Sequence, residues 1–282
     1  MQIKTVESQH PIMTTRVRRR IWRMLSIALL VIVAVVIAFA IPIYRQHLAI
    51  QDIQRVGGTI EAEPGGPAWL RKRIGDARMQ GFDTVRTVVL SGTEVTDDGL
   101  RSVERLTNLR NLFLSETQIT DAGINHIKGL RQLELLYLPR TKIGDAGIDH
   151  CQGLSLLARL DFSGTQITDS GLLHLKGLTK VLALELSETQ ITDAGLAHLE
   201  GLTNLLYLDL GYTNITDTGL EHLKELPRLW SLNLRGTKIT DAGLDHLKEF
   251  PCLRILSVAG TQVSGAGVEE LKAALPDLHV NR

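Results

Sequence analysis

"TQITDAGLAHL", Thr189 to Leu199, sets a threonine, an acid and a histidine close together, with Asp193 and His198 five residues apart. That spacing suits a catalytic or metal-binding pair as well as it suits a structural phrase. The rest of the chain decides. Thr93, Thr117, Thr141, Thr165, Thr189, Thr213, Thr237 and Thr261 lie 24 residues apart, without insertion or deletion. In the fifth copy Leu184, Leu186, Ile191, Leu196, Leu199 and Leu202 are apolar, and Gly195 sits inside the frame. Self-similarity at a fixed period of this length marks a solenoid of stacked supersecondary units.

Each copy divides into three pieces. "LALELSET" (Leu182 to Thr189) alternates, so Leu184 and Leu186 face a core while Ala183, Glu185 and Ser187 face out of a short strand. The Thr189 turn follows, and then apolar residues at 196, 199 and 202 predict a helix or 3₁₀ stretch of about two turns. Thr192 or Asp193 is placed to cap it, accepting a hydrogen bond from an orphan amide. One unit cannot bury its apolar face; stacked copies bury a continuous core.

The frame L-x-x-L-x-L-x-x-[NTC]-x-[LI], written here as "LTNLRNLFLSETQI" (Leu106 to Ile119) and "LTNLLYLDLGYTNI" (Leu202 to Ile215), resembles the leucine-rich-repeat family, with threonine where asparagine is usual. The "ITDAGL" continuation looks like the cysteine-containing subclass and like short bacterial membrane-anchored members. The resemblance covers residues 85–282 as eight repeats with a degenerate C-terminal cap. It implies an α/β fold: a curved horseshoe with parallel strands on the concave side and short helices on the convex side. For function it implies only a binding role, since the fold hosts many.

Upstream, Met24 to Tyr44 carry 21 uncharged residues, which as a helix would extend about 31 Å and cross a bilayer core. Five arginines in "RVRRRIWR" (Arg16 to Arg23) precede the segment, while Arg45 and Arg55 follow it. The positive-inside rule then puts residues 1–23 in the cytoplasm as a basic tail and the repeats outside it, periplasmic or on the cell surface. Ala38-Phe39-Ala40 would serve a signal peptidase, although the apolar run continues past it, so an uncleaved anchor is expected. Residues 45–56 read as an amphipathic helical stalk and 57–84 as an N-terminal cap over the first repeat's open edge.

Charge is balanced, 31 basic against 31 acidic residues, so no global field argues for nucleic acid. His126, His150, His174, His198, His222 and His246 recur at one repeat position and would form an outer ladder. Helices packed at roughly 10 Å hold such imidazoles too far apart to share one ion. Asp97, Asp121, Asp145, Asp169, Asp193, Asp217 and Asp241 recur as candidate caps: a cap needs an acceptor in every copy, a catalytic acid only in one. The threonine ladder is expected to tie one turn to the next. Cys151 falls at a core position and Cys252 at a variable one; on a solenoid, just over four repeats apart, they cannot pair. The sequon Asn214-Ile215-Thr216 is what the frame itself writes. No phosphate-cradle, zinc-hydrolase or nucleophile-elbow motif occurs, and no enzyme, cofactor or metal is expected.

Function is then expected where the copies disagree. The outward strand centre reads Val89, Phe113, Tyr137, Asp161, Glu185, Asp209, Asn233 and Ser257, passing from apolar to three successive acids to small polar residues. Flanking positions add Arg140, Arg159, Tyr207, Tyr212 and Arg235. In-register strands set the acids about 5 Å apart, where like charges repel. Arg159 or salt would offset the repulsion locally; a basic protein or peptide partner would do so functionally, with the aromatics as anchors. The expectation is a single-pass membrane protein that binds such a partner on its concave face. The alternatives are a structural envelope component that self-associates through its repeats, and a sensor, for which a 23-residue tail is too short.

Overall fold

The computed structural model describes residues 15–282, so the tail expected over 1–23 lies largely outside the described residues. The chain divides into two compact units, up to Arg45 and from Gln46 onward. The first is helical over Thr15–Val35, passes through a wider π turn at Val36–Ala40, and ends within an α-helix, Ile41–Arg55, whose residues from Gln46 belong to the second unit. The wide turn directly precedes Pro42, whose missing N–H removes one ladder bond. Leu25, Ile27, Leu30 and Ile37 are among the large apolar side chains exposed here. By length and composition this helix is apolar enough to cross a membrane.

In the second unit ten strands form one sheet in chain order. β1 (Thr59–Glu63) runs antiparallel to β2 (Thr84–Val89) and closes the leading edge. From β2 onward every pairing is parallel: β3 (Asn111–Phe113), β4 (Leu135–Tyr137), β5 (Arg159–Asp161), β6 (Ala183–Glu185), β7 (Tyr207–Asp209), β8 (Ser231–Asn233), β9 (Ile255–Ser257) and β10 (His279–Asn281). The period of 24 sets the register, so Leu112, Leu136, Leu160, Leu184, Leu208 and Leu232 stack inward in line and are at most 1% exposed. The residues expected as a degenerate end supply β10, which extends the parallel ladder by one strand past the eighth copy.

Behind the strands the predicted two-turn stretch winds as α, as 3₁₀, or as one α turn run on into 3₁₀, the last in Asp193–Leu196 followed by Ala197–Leu199. The three-residue apolar step at 196, 199 and 202 favours this tighter winding, and all three leucines are fully buried.

Residues 45–56 are no free stalk. Ala49 and Ile53 are buried in the solenoid core, and Asp52 Oδ2 accepts a 2.7 Å hydrogen bond from Ser102 Oγ in the first repeat. The amphipathic pattern in that segment records docking onto the repeats.

Two ladders exchange the roles expected of them. Thr189 Oγ1 donates to Leu186 O three residues earlier at 2.6 Å, and the same bond recurs at all eight threonines. The threonine thus closes the turn within its own repeat. The aspartates do not cap their own helices; Asp193 sits inside the first turn, with Thr192 in the capping position. Its carboxylate instead reaches the next repeat, accepting from Thr216 N at 2.8 Å and Thr216 Oγ1 at 2.5 Å. Asp97, Asp145, Asp169 and Asp217 do the same to the following threonine, and Asp241 does it to Ser264. Asp121 meets Gly144, which offers only its amide, at 2.7 Å. The frame glycine makes room: a Cβ on Gly195 would collide with Asp169 Oδ1 and press to 3.2 Å on Ile191 Cγ2.

Candidate functional site: the outer sheet face

The strand register lines the variable residues up as Val89, Phe113, Tyr137, Asp161, Glu185, Asp209, Asn233 and Ser257, each paired with the next. Phe113 and Tyr137 pack with ring centroids 5.2 Å apart, tilted by 32°. The three acids follow on adjacent strands.

The acids are not equivalent. Asp161 and Asp209 are buried, at 6% and 9% exposure, which solvated surface acids would not be. Each curls onto its own backbone: Asp161 Oδ1 accepts from Ser163 N at 2.9 Å, and Asp209 Oδ1 from Gly211 N at 2.8 Å. Asn233 Oδ1 repeats the turn with Arg235 N at 3.0 Å, and Asn233 Nδ2 also donates to Asp209 Oδ1 at 2.9 Å. Tyr207 OH points to Asp209 Oδ2 at 3.4 Å. A short acid or amide is required for this turn two residues on.

Glu185 is one methylene longer and makes no such bond. Burial first, and then the charges of Asp161 and Asp209, push its carboxyl up to about 7. Burial, offset by the Ser163 amide, raises Asp161, and burial together with Asp209 and Glu185 raises the Tyr207 hydroxyl. Burial and then Glu185 also raise Tyr137. The expected neutralisation by Arg159 does not take the form of contact: Arg159 is exposed, and among the described residues no ion pair joins it to any of the three acids.

Arg140 and Tyr212, expected as strand flanks, lie in the turn beyond the strand, where every copy takes a positive φ. Four copies place glycine there (Gly92, Gly164, Gly236 and Gly260); the others hold Glu116, Arg140, Glu188 and Tyr212 at φ 55–57°. A side chain in this region costs roughly 1–2 kcal/mol. Arg140 Nη1 pairs with Glu116 Oε1 at 3.3 Å, both largely exposed. The Arg235 guanidinium lies 5.7 Å from the Tyr212 ring centroid, and that ring lies over Gly236. Between strand and turn runs a groove of about 340 Å³ whose charged lining residues are Glu116, Arg140, Asp161, Glu185 and Glu188. Four of these five are acids, and the arginine is paired with Glu116.

Sequence reasoning therefore found Phe113, Tyr137, Asp161, Glu185, Asp209 and Tyr207 on one face, with Arg159 beside them and Arg140, Tyr212 and Arg235 at its rim. It missed Glu116 and Glu188. The signal was present, since both interrupt a frame position where other copies read glycine.

The histidines on the helical side are half-buried, with His126 Nδ1 3.4 Å from Glu104 Oε2 and His174 Nδ1 3.2 Å from Asp149 Oδ1. Among the described residues no three histidine, cysteine or acidic groups are gathered to hold a metal ion. Cys151 is buried and its thiol is pushed up to about 12 by that burial; Cys252 is exposed and unpaired with it.

Comparison with known proteins supports the architecture. Leucine-rich-repeat models match residues 179–239 and 154–175. The crystal structure of an internalin C2 from Listeria monocytogenes is 31% identical with a TM-score of 0.57, over 74% of this chain and 84% of that one. A leucine-rich-repeat protein of Leptospira interrogans aligns over 64% of this chain and 57% of its own at 16% identity and a TM-score of 0.45. No curated protein matches the chain significantly.

Proposed function

Because the chain belongs to the leucine-rich-repeat family, whose members mediate protein–protein interaction, we propose that it is a non-catalytic, membrane-anchored binding protein that captures a basic protein or peptide on the outer face of its sheet. The observation that carries this reading is Glu185: a half-buried carboxyl between two further acids, with no ion pair or hydrogen bond among the described residues, the charge of Arg159 on the next strand offsetting only part of their effect. Leaving such a group unpaired is costly, and a cationic side chain would relieve the cost. Beside it Phe113 and Tyr137 offer an aromatic platform of the kind that anchors interfaces. Glu116 and Glu188 extend the field while holding a strained backbone, the pattern expected where side chain outweighs conformation.

The anchor is the helix running through Met24–Tyr44, with arginines on its leading side favouring a cytoplasmic N-terminus and extracytoplasmic repeats. Protease admitted to the outer side of an intact cytoplasmic membrane should then remove the repeats; protection until that membrane is lysed would refute the topology.

The binding reading is tested by charge reversal at the acids that hold no turn. Glu185→Lys with Glu188→Lys should abolish crosslinking of the partner in native membranes while the melting transition persists. Retention of the same partner would refute it. Asp161 and Asp209 are unsuitable for reversal, since both hold turns; Asn is the substitution that preserves those bonds.

A further inference from the structure

A second row, distinct from the acids, lines the edge where the strands begin. Leu182, Leu206 and Trp230 are consecutive rungs: Leu206 N donates to Leu182 O at 2.9 Å and Trp230 N to Leu206 O at 2.8 Å. Leu182 is 38% exposed, Trp230 48%, and Leu206 half-buried. The corresponding positions are Arg86, Arg110, Glu134 and Ala158 in the earlier copies and Arg254 in the next, so the run of large apolar side chains is confined to the fifth, sixth and seventh copies. It occupies the same three copies, β6 to β8, that carry Glu185, Asp209 and Asn233.

The two rows run parallel, across the strands. Leu182 precedes Glu185 by three residues, about 10 Å of strand. Between them the outward floor is Ala183, Tyr207 and Ser231, with small side chains on either side of one tyrosine. An α-helix with its side chains is about 10–12 Å across. Leu182, Leu206 and Trp230 come just before the paired residues of β6, β7 and β8, so they stand at the sheet's edge and are accessible there. A helix laid across the strands over Ala183 is wide enough to span from that edge to the acids.

We propose that the partner segment is a cationic amphipathic helix that lies across β6 to β8, its apolar flank on Leu182, Leu206 and Trp230 and its basic flank on Glu185 and its acidic neighbours. This rests on the reading of the sheet face as a binding surface and specifies what it binds. Charge complementarity selects the occupant: Glu185 and Glu188 have no ion-pair partner among the described residues, whereas a second copy docked by the same face would bring like acids to them. Protonation of Glu185 near neutral pH makes the complex weaken on acidification, by about tenfold for loss of one charge-assisted contact.

The test uses the full chain in zwitterionic lipid discs, with empty discs as the blank. The probes are two synthetic peptides of identical lysine, leucine and alanine composition, each carrying one photoreactive leucine analogue. One segregates lysine and leucine onto opposite helix flanks; the other scrambles them. The segregated peptide should crosslink to residues 182, 206 or 230 and bind at least tenfold more tightly at pH 8 than the scrambled one. Leu182→Ser with Trp230→Ser should erase that preference while leaving the weak binding of the scrambled peptide intact. Equal binding of the two peptides, or a preference that survives the double substitution, would overturn the helix proposal while leaving acidic-face recognition standing. Binding of neither would overturn both. Self-association in sedimentation that the same double substitution abolishes would assign the row to a second copy and also overturn the proposal.

Discussion

Asp193 serves three donors from the following repeat, the Thr216 amide and the hydroxyls of Thr216 and Thr218. Thr189 serves one carbonyl in its own. Substitution should therefore rank them unequally. Asp193→Ala strands a partly buried amide and two hydroxyls and should cost about 2–3 kcal/mol, while Thr189→Val should cost about 1 kcal/mol, both read from chemical denaturation. Glu185 behaves in the opposite sense. Its folded carboxyl binds a proton near pH 7, against 4.5 ordinarily, so the folded state holds the proton more tightly. Stability is then full below about 4.5 and falls as pH rises through 7. Glu185→Gln should raise the melting temperature at pH 8 and leave it unchanged at pH 4. Because the group is half-exposed, the gain is roughly 1 kcal/mol, well short of the full shift.

At the scale of the element, the turn after each strand decides what the rim can display. Tyr212→Gly should relieve positive-φ strain and stabilise by roughly half a kcal/mol, after the added entropy of the unfolded glycine is subtracted. Partner binding should weaken in the same variant, separating a residue kept for recognition from one kept for folding. Gly195→Ala should do the reverse, costing about 2–3 kcal/mol through its collision with Asp169 while sparing the sheet face. Strand and helix placement was legible because apolar spacing of two and then three residues records which side chains face the core. The partner of each aspartate was not legible. A capping acid and an acid that reaches the next repeat occupy the same position in the frame, and only stacking tells them apart. The burial of Asp161 and Asp209 was not legible for a related reason, since sequence does not reveal that they fold back onto Ser163 and Gly211.

For the whole solenoid the period is itself the specification. Excising residues 190–213, one repeat of 24, joins Thr189 to Asn214 in frame and restores every neighbour contact in kind. The shortened chain should remain folded, with unchanged ellipticity per residue in circular dichroism, whereas excising 12 residues should not fold. The N-terminal boundary was less legible: Ala49 and Ile53 looked like one face of a stalk, and they lie in the core. The central claim is that the sheet face, and not the helical side, meets the partner. Its most direct test is site-specific photocrosslinking of the full chain in native membranes, with the photoreactive residue at Tyr137 or Glu188 on the sheet face and at His198 on the helical side. The account predicts one shared partner adduct from 137 and 188 and none from 198. Adducts from 198 with none from the sheet face would contradict it.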